Sequence, residues 1–200
     1  MAVLHGHPVT RPADPVSARP APPARRLGTA LALALAIAWP GAPVHAQPTL
    51  TEAQAKAAFV LNFARYIEWP ASVFASPQAP LVVCLVGRDT LGPALAALDG
   101  RQVQGRAMKV RLRVVPDELR GCHLVFIGEA EERRSQTVLR ALAGQPVLTV
   151  SDTDRFTESG GCVRIVLAEE RLQFEVNRAA LEQAQLKASA SLLRLARNIP

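Results

Sequence analysis

The chain has 200 residues, of which 49% are hydrophobic and 4% aromatic, and it carries a formal net charge of +6 at pH 7. Its basic residues are mostly dispersed and no aromatic residues alternate with them, which excludes the concentrated basic patch of a nucleic-acid-binding protein. The length allows one well-buried domain rather than two.

The first 46 residues are predicted to be a secretory signal peptide. Arg25 and Arg26 precede an uncharged apolar run at 27–39, and small residues follow up to Ala46. A charged start, an apolar centre and a small-residue cleavage site together define such a signal. The apolar run is shorter than the roughly 20 residues of a membrane-spanning helix. We therefore expect an exported mature chain of residues 47–200, which holds 19 basic and 16 acidic residues and a net charge of +3.

A helix is predicted to begin after Thr51 and to stop at Pro70. Thr51 is a suitable N-cap, and the residue before a proline is disfavoured in a helix. Apolar residues recur at helical spacing in two adjacent stripes, Phe59, Phe63 and Tyr66 in one and Val60, Ala64 and Ile67 in the other. The aromatic stripe is predicted to be chiefly core. Trp69 lies at the helix exit, where we expect it to be partly exposed and available to a partner.

The rest of the chain alternates predicted strands and helices. Strands are expected at 79–87, 107–115, 122–128 and 145–152, followed by a hairpin at 162–177 that turns at 168–171. Helices are expected at 91–98, 129–142 and 178–199. In the half-exposed second strand, one face is predicted to consist of Val110, Leu112 and Val114. This order predicts an α/β fold, a single domain with a mostly parallel sheet flanked by helices and a C-terminal antiparallel hairpin.

Three cysteines, Cys84, Cys122 and Cys162, lie in the mature part. Cys84 lies within one predicted buried strand and Cys122 directly precedes another, so the two meet if these strands are neighbours in the sheet. Such a disulfide would close a loop of about 39 residues, and an exported location favours it. The alternative is three buried free thiols.

Candidate ligand-binding residues follow two of the predicted strands. Gly87 and Arg88 belong to the strand-to-helix turn VGRDTLG, and Asp152 follows a later strand. The turn lacks the glycine pattern of a dinucleotide site and the lysine of a P-loop, so an ordinary turn is the alternative. Asp152, Asp154 and His123, the only histidine after residue 46, do not form a convincing catalytic set. Because residues 47–200 contain no C-x-x-C and no histidine pair, neither a metal nor a cofactor is predicted.

A partner-binding surface is predicted at 155–175. Arg155 and Phe156 precede a loop with Gly160 and Gly161, and the hairpin offers an antiparallel edge with Phe174 to bury against a partner. The alternative is that Phe156 only plugs the end of the sheet.

Several blocks of the sequence resemble the YfiR family of periplasmic proteins. The resemblance runs through KAAFVLNFARYIEWP, LVVCLVG, LRGCHLVFIG and the long block from GQPVLTVSDTDRF to SLLRLAR, from 53 to 198 in the family order. The pattern N-F-A-x-Y-x-x-W-P near the start and S-x-x-L-R-L-A-R near the end are its most specific parts.

The resemblance implies a small α/β domain that forms homodimers and lacks catalytic activity. It implies a periplasmic regulator that binds and represses the sensor region of an inner-membrane diguanylate cyclase and so lowers cyclic di-GMP, with an outer-membrane lipoprotein as a further partner. A cysteine that some members carry upstream of the Gly-Gly turn is missing, which leaves Cys162 without its usual partner. The alternative functions are a small-ligand sensor that uses the crevice near 87–91 and 152–156, and an exported hydrolase.

Overall fold

A seven-stranded sheet lies at the centre of the structure, a computed structural model that describes residues 50–197. The predicted signal peptide at 1–46 lies outside the described residues. In chain order the helices and strands are α1 (Glu52–Tyr66), β1 (Ile67–Glu68), β2 (Leu81–Val86), α2 (Gly92–Ala96), β3 (Gln102–Val103), β4 (Arg106–Val114), β5 (Leu124–Ile127), α3 (Glu132–Leu142), β6 (Leu148–Ser151), β7 (Val163–Ala168), β8 (Arg171–Val176), α4 (Arg178–Gln183), β9 (Lys187–Ala188) and α5 (Ala190–Leu195).

The sheet confirms the predicted fold class. Its strand order is β3-β4-β2-β5-β6-β7-β8. The five strands from β4 to β7 in this order are parallel, and β3 and β8 add antiparallel edges. The β7–β8 hairpin turns at Glu169 and Glu170, which both have positive φ, 50° and 59°. Two such residues form the turn whose twist matches that of the flanking strands, and the turn lies where the sequence predicts it.

Helices cover both faces of the sheet. Helices α1, α2, α4 and α5 contribute to the core on one face, and α3 contributes to the core on the other. The side chains of β5 alternate between the two cores, with Leu124 and Phe126 in the first and Val125 and Ile127 in the second. A strand that is buried on both faces has a continuous apolar sequence, as is typical of parallel sheets.

Helix α1 begins as predicted but ends three residues earlier. The Thr51 hydroxyl accepts a hydrogen bond from the Gln54 backbone N–H, and the Gln54 side chain accepts one from the Thr51 N–H, a complete capping box. At the other end, Ile67 and Glu68 leave the helix and pair with Ala188 and Lys187 of β9. The end of α1 is therefore set by a strand pairing with the far end of the chain.

The predicted aromatic face of α1 is only partly correct. Phe63 is fully buried and Phe59 packs against the same core, whereas Tyr66 is exposed. The more deeply buried stripe is the second one, Val60, Ala64 and Ile67. Tyr66 is turned outward because the helix ends there and β1 takes the next inward position.

Leu112 of β4 also differs from the prediction, since its side chain is exposed rather than buried. The ladder with β2 pairs Cys84 with Arg111 but Val86 with Val114, so β4 contains one extra residue, and Arg113 has a φ of +58°. A β-bulge of this kind shifts the alternation of faces along the strand.

The prediction of one continuous C-terminal helix at 178–199 is wrong. The chain forms two short helices, α4 and α5, with β9 between them. Gln185 has a φ of +55°, and the Ser189 hydroxyl accepts a hydrogen bond from the Leu192 N–H as the cap of α5. The alanine-rich sequence favours helix, but the pairing of β9 with β1 overrides this local preference.

The predicted disulfide between Cys84 and Cys122 is present, with 5.9 Å between the Cα atoms. Strands β2 and β5 are parallel neighbours, which brings the two cysteines together on the face covered by α3. The alternative of three free thiols is therefore wrong. Cys162 is a buried free thiol, and its burial raises the pKa of that thiol.

His123 connects the start of β5 to Val82 and Phe74, and its environment makes the stability of the fold depend on pH. Its Nδ1 accepts a hydrogen bond from the Val82 backbone N–H at 2.9 Å, and its ring stacks on Phe74 with 4.6 Å between the centroids. Burial lowers the pKa of His123. A hydrogen bond to the Val73 backbone opposes this effect and the positive charge of Arg106 adds to it, and the net shift is downward. Protonation of Nδ1 would also break the bond to Val82. The imidazole therefore stays neutral in the folded protein over a range where the unfolded chain binds a proton.

We expect the free energy of unfolding to fall as the pH drops below the ordinary histidine value of about 6.5, by at most about 1.4 kcal/mol per pH unit. The sign follows because the folded-state pKa is the lower one, so the unfolded state takes up the proton first. Urea titrations of residues 47–200 between about pH 7 and pH 5 measure this slope. The His123→Gln variant isolates it, because the mature chain has no other histidine. An equal slope in both proteins contradicts the prediction.

Candidate functional site

The predicted ligand-binding residues lie at one edge of the sheet, where the parallel strands end. Gly87 follows β2 and Asp152 follows β6, with β5 between them. Gly87 has a φ of +67°, and a Cβ at this position would overlap the carboxylate of Glu131. A Cβ at Gly128, after β5, would likewise overlap the carboxylate of Asp89. These two glycines therefore accommodate carboxylates, which disfavours binding of a phosphate here.

Asp152 is engaged by Lys56 of α1. The Lys56 ammonium lies 2.6 Å from Asp152 Oδ2 and 2.7 Å from Glu52 Oε1. Burial opposes the charge of Lys56, but the hydrogen bonds to Asp152 and Glu52 outweigh it and raise the Lys56 pKa. The sequence alone does not predict this pair. The available signal was a lysine four residues before the buried Val60, on the apolar side of the helix.

A second cation, Arg164 of β7, lies on the other side of the same crevice. Its guanidinium bonds to Asp154 and lies 3.5 Å from Glu175. Asp152 Oδ1 and Arg164 Nε are buried and have no hydrogen-bond partner among residues 50–197. Between these groups is a cavity of about 280 Å³, whose charged lining consists of Glu52, Lys56, Glu129, Glu132, Asp152, Asp154 and Arg164. With five carboxylates and two cations, the crevice suits a ligand with a cationic group better than an anion.

The remaining predicted ligand-binding residue, Arg88, is exposed in the turn after β2. It does not line the cavity described above. The structure therefore brings only Asp152 of the three predicted residues to the cavity, and a ligand-binding role for Gly87 and Arg88 stays a prediction.

A larger groove separates α1 from α2. Its volume is about 530 Å³, and its apolar lining includes Ala53, Ala57, Leu61, Pro93, Ala94 and Leu98. No pattern in the sequence predicts this groove. Small residues on the side of α1 that faces α2 are the available signal, although small residues alone do not distinguish a groove from close helix packing.

The aromatic residues predicted to bind a partner are buried. Trp69 is 9% exposed, and its Nε1 donates a hydrogen bond to the His123 carbonyl at 3.0 Å. Phe174 packs edge-on against Phe63 with 5.3 Å between the ring centroids. The expectation that Trp69 is partly exposed and that Phe174 is open to a partner is therefore corrected, because both complete the core beside α1.

Phe156 is 1% exposed and belongs to the core on the α3 face. A Cβ at Gly161 would overlap its ring, so the glycine allows the loop to close over Phe156. Phe156 therefore lies where the alternative prediction places it, as a plug at the end of the sheet. The neighbouring Arg155 is exposed and forms an ion pair with Glu158.

The β8 edge, predicted to accept a strand from a partner, is partly occupied. The Arg197 backbone N–H donates a hydrogen bond to the Phe174 carbonyl, and Arg197 forms a parallel bridge with Glu175. The chain's own C-terminal segment therefore covers the part of this edge where a partner strand was expected.

Comparison with known proteins identifies the family. A family model described as YfiR/HmsC-like matches residues 53–197. The chain belongs to the YfiR/HmsC-like family. Membership confirms the resemblance found in the sequence. Within residues 50–197, no helix is long and apolar enough to cross a membrane.

Among solved structures, one similar fold is the crystal structure of a conserved domain protein from Vibrio cholerae O1 biovar El Tor strain N16961. The two chains are 7% identical, with a TM-score of 0.47. The match covers 73% of the present chain and 59% of the Vibrio protein, so this chain spans about three fifths of that protein's length.

Proposed function

We propose that this YfiR/HmsC-like protein is a periplasmic, non-enzymatic regulator that binds the periplasmic sensor region of an inner-membrane diguanylate cyclase and represses the enzyme. Residues 1–46 direct export and are removed. The mature domain acts as a homodimer, and an outer-membrane lipoprotein is a further partner. The observation that carries the proposal is the family match over residues 53–197, which includes nearly the whole domain.

The surroundings of the three candidate catalytic groups support a role other than catalysis. Asp152 is held by Lys56, and Asp154 is held by Arg164. His123 is buried, with Nδ1 already accepting a backbone hydrogen bond. General acid–base catalysis needs a group within reach of a substrate proton. Each of these three side chains contacts another element of the fold, and Asp152 and Asp154 also line the 280 Å³ cavity.

Deletion of the gene is expected to raise cellular cyclic di-GMP, measured by mass spectrometry in cells that express a diguanylate cyclase with a periplasmic sensor region. Expression of the full chain from a plasmid restores the low level, and a version without residues 1–46, which stays in the cytoplasm, does not. An unchanged cyclic di-GMP level in the deletion strain contradicts the proposal. Isotope-labelled cross-linking of the oxidised mature domain to detergent-solubilised membranes then identifies the cyclase.

A small-ligand sensor is the second candidate function. The 280 Å³ cavity with the unpaired Asp152 Oδ1 and Arg164 Nε favours it. A thermal-shift screen of amines and amino acids against residues 47–200 tests it, with Asp152→Asn as the variant that loses the response. The absence of any stabilising compound counts against this candidate and leaves the first one standing.

A further inference from the structure

The outer side of β4 is an open sheet edge. Strand β3 pairs only with Arg106 and Ala107. Beyond it, Met108 bonds to the loop at Gly100 and Arg101, and the Asp99 carboxylate accepts a hydrogen bond from the Val110 N–H at 2.7 Å. From Arg111 onward, no other strand within residues 50–197 pairs with the outer side of β4. The Val114 carbonyl accepts a hydrogen bond from the Gly87 N–H and the Val115 carbonyl accepts one from the Glu118 N–H, so the backbone available to an additional strand is centred on Leu112.

Two exposed apolar side chains lie on this open edge. Leu112 is 39% exposed and Val115 is 45% exposed. Leu112 is exposed because of the bulge at Arg113, which also turns the end of the strand. Together with the unpaired backbone, they offer a short apolar contact of the kind that a bound strand covers.

Basic residues outnumber acidic ones in the stretch of chain that includes this edge. The stretch 99–120 contains six basic residues, Arg101, Arg106, Lys109, Arg111, Arg113 and Arg120, and three acidic ones, Asp99, Asp117 and Glu118. Its net charge of +3 equals that of residues 47–200 as a whole. Lys109 and Arg113 are exposed, and Lys109 lies 3.4 Å from Asp99. Arg111 instead bonds to the backbone carbonyls of Glu118 and Arg120.

We propose that the β4 edge centred on Leu112 binds an acidic, extended segment of a partner protein by strand addition. The segment places carboxylates near Lys109 and Arg113 and an apolar residue against Leu112. A second copy of this chain does not fit, because pairing two β4 edges would bring like charges face to face. This inference rests on the proposed function in one respect, namely that the bound segment belongs to the regulated partner.

Strand addition is tested with the fluorescein-labelled peptide EVEVEVE and with KVKVKVK as its charge control, by fluorescence anisotropy with the oxidised mature chain. We expect EVEVEVE to bind, and more weakly at high salt. Leu112→Pro removes the outward backbone N–H and abolishes binding, whereas Leu112→Thr keeps the N–H and retains most of it.

Charge reversal provides the second arm. Lys109→Glu with Arg113→Glu is expected to weaken EVEVEVE binding roughly tenfold. Arg133→Glu with Arg178→Glu makes the same change in net charge at exposed positions away from β4 and is expected to change it little. Thermal melts establish that every variant is folded. No binding to the wild type, or equal binding by wild type, Leu112→Pro and both charge variants, overturns the proposal.

The outcomes separate this inference from the proposed function. If Leu112→Pro, expressed in the deletion strain, lowers cyclic di-GMP as well as Leu112→Thr does, the β4 edge is not the regulatory surface and the proposed function stands. If the wild-type gene itself fails to lower cyclic di-GMP, the proposed function is wrong and the peptide measurements alone decide whether the edge accepts a strand.

Discussion

Replacement of Cys84 and Cys122 by alanine is expected to lower the free energy of unfolding by about 4 kcal/mol. The bond closes a loop between residues 38 positions apart and joins two neighbouring strands in the centre of the sheet. Without it, the unfolded chain regains the conformations that the closed loop excludes. A single domain has a total stability of roughly 5–15 kcal/mol, so the loss is a large part of the whole.

Urea denaturation of the oxidised wild type and the double variant measures this difference. Cys162→Ala is the matched control, because it removes a buried cysteine without removing a cross-link. Reductant is expected to shift the transition of the wild type and of Cys162→Ala but not that of the double variant. If thiol titration shows full reduction of the wild type and its transition does not move, the prediction fails.

The second large effect is expected at Phe63. Its ring is fully buried and lies 5.3 Å from the Phe174 ring and 6.0 Å from the Phe59 ring, centroid to centroid. Phe63→Ala removes these contacts and leaves a cavity between α1 and the sheet, which typically costs about 3–5 kcal/mol.

Tyr66→Ala is the matched control for Phe63, since Tyr66 lies less than one turn further along α1 and is exposed. We expect the control to change the unfolding free energy by less than about 0.5 kcal/mol. If Phe63→Ala does not fold, Phe63→Leu gives a smaller loss, measurable in urea. Equal losses at Phe63 and Tyr66 contradict the assignment of the buried side of α1.

The sequence predicts those features that depend on neighbouring residues. The cap at Thr51 and the turn at Glu169 and Glu170 follow from local backbone chemistry, and the parallel sheet follows from the alternation of apolar strands with helices. The disulfide was predictable because it needed only the one assumption that two buried strands are neighbours.

Features that depend on distant residues were missed. The bulge at Arg113 inserts one residue into a ladder, and the alternation in 107–115 carries no mark of it. Lys56 and Asp152 are 96 positions apart, so neither residue alone indicates the ion pair. For Phe156 the sequence leaves open a partner surface and a plug at the end of the sheet, and for Phe174 it predicts a partner surface. Aromatic residues suit interfaces as well as cores, and only the packing of their rings decides between the two.

The pairing of β1 with β9 has a consequence for the order in which the molecule is completed. Ile67 and Ala188 are about 120 residues apart in sequence. Because the entropic cost of closing a loop rises with its length, we expect this contact to form late in folding. A chain that crosses a membrane from its N-terminal end delivers α1 first and β9 nearly last. The C-terminal side of α1 then has no strand to close against until translocation is almost finished. A polypeptide truncated before residue 187 would reach the far side of the membrane without the strand that pairs with the end of α1. We expect quality-control proteases to degrade it.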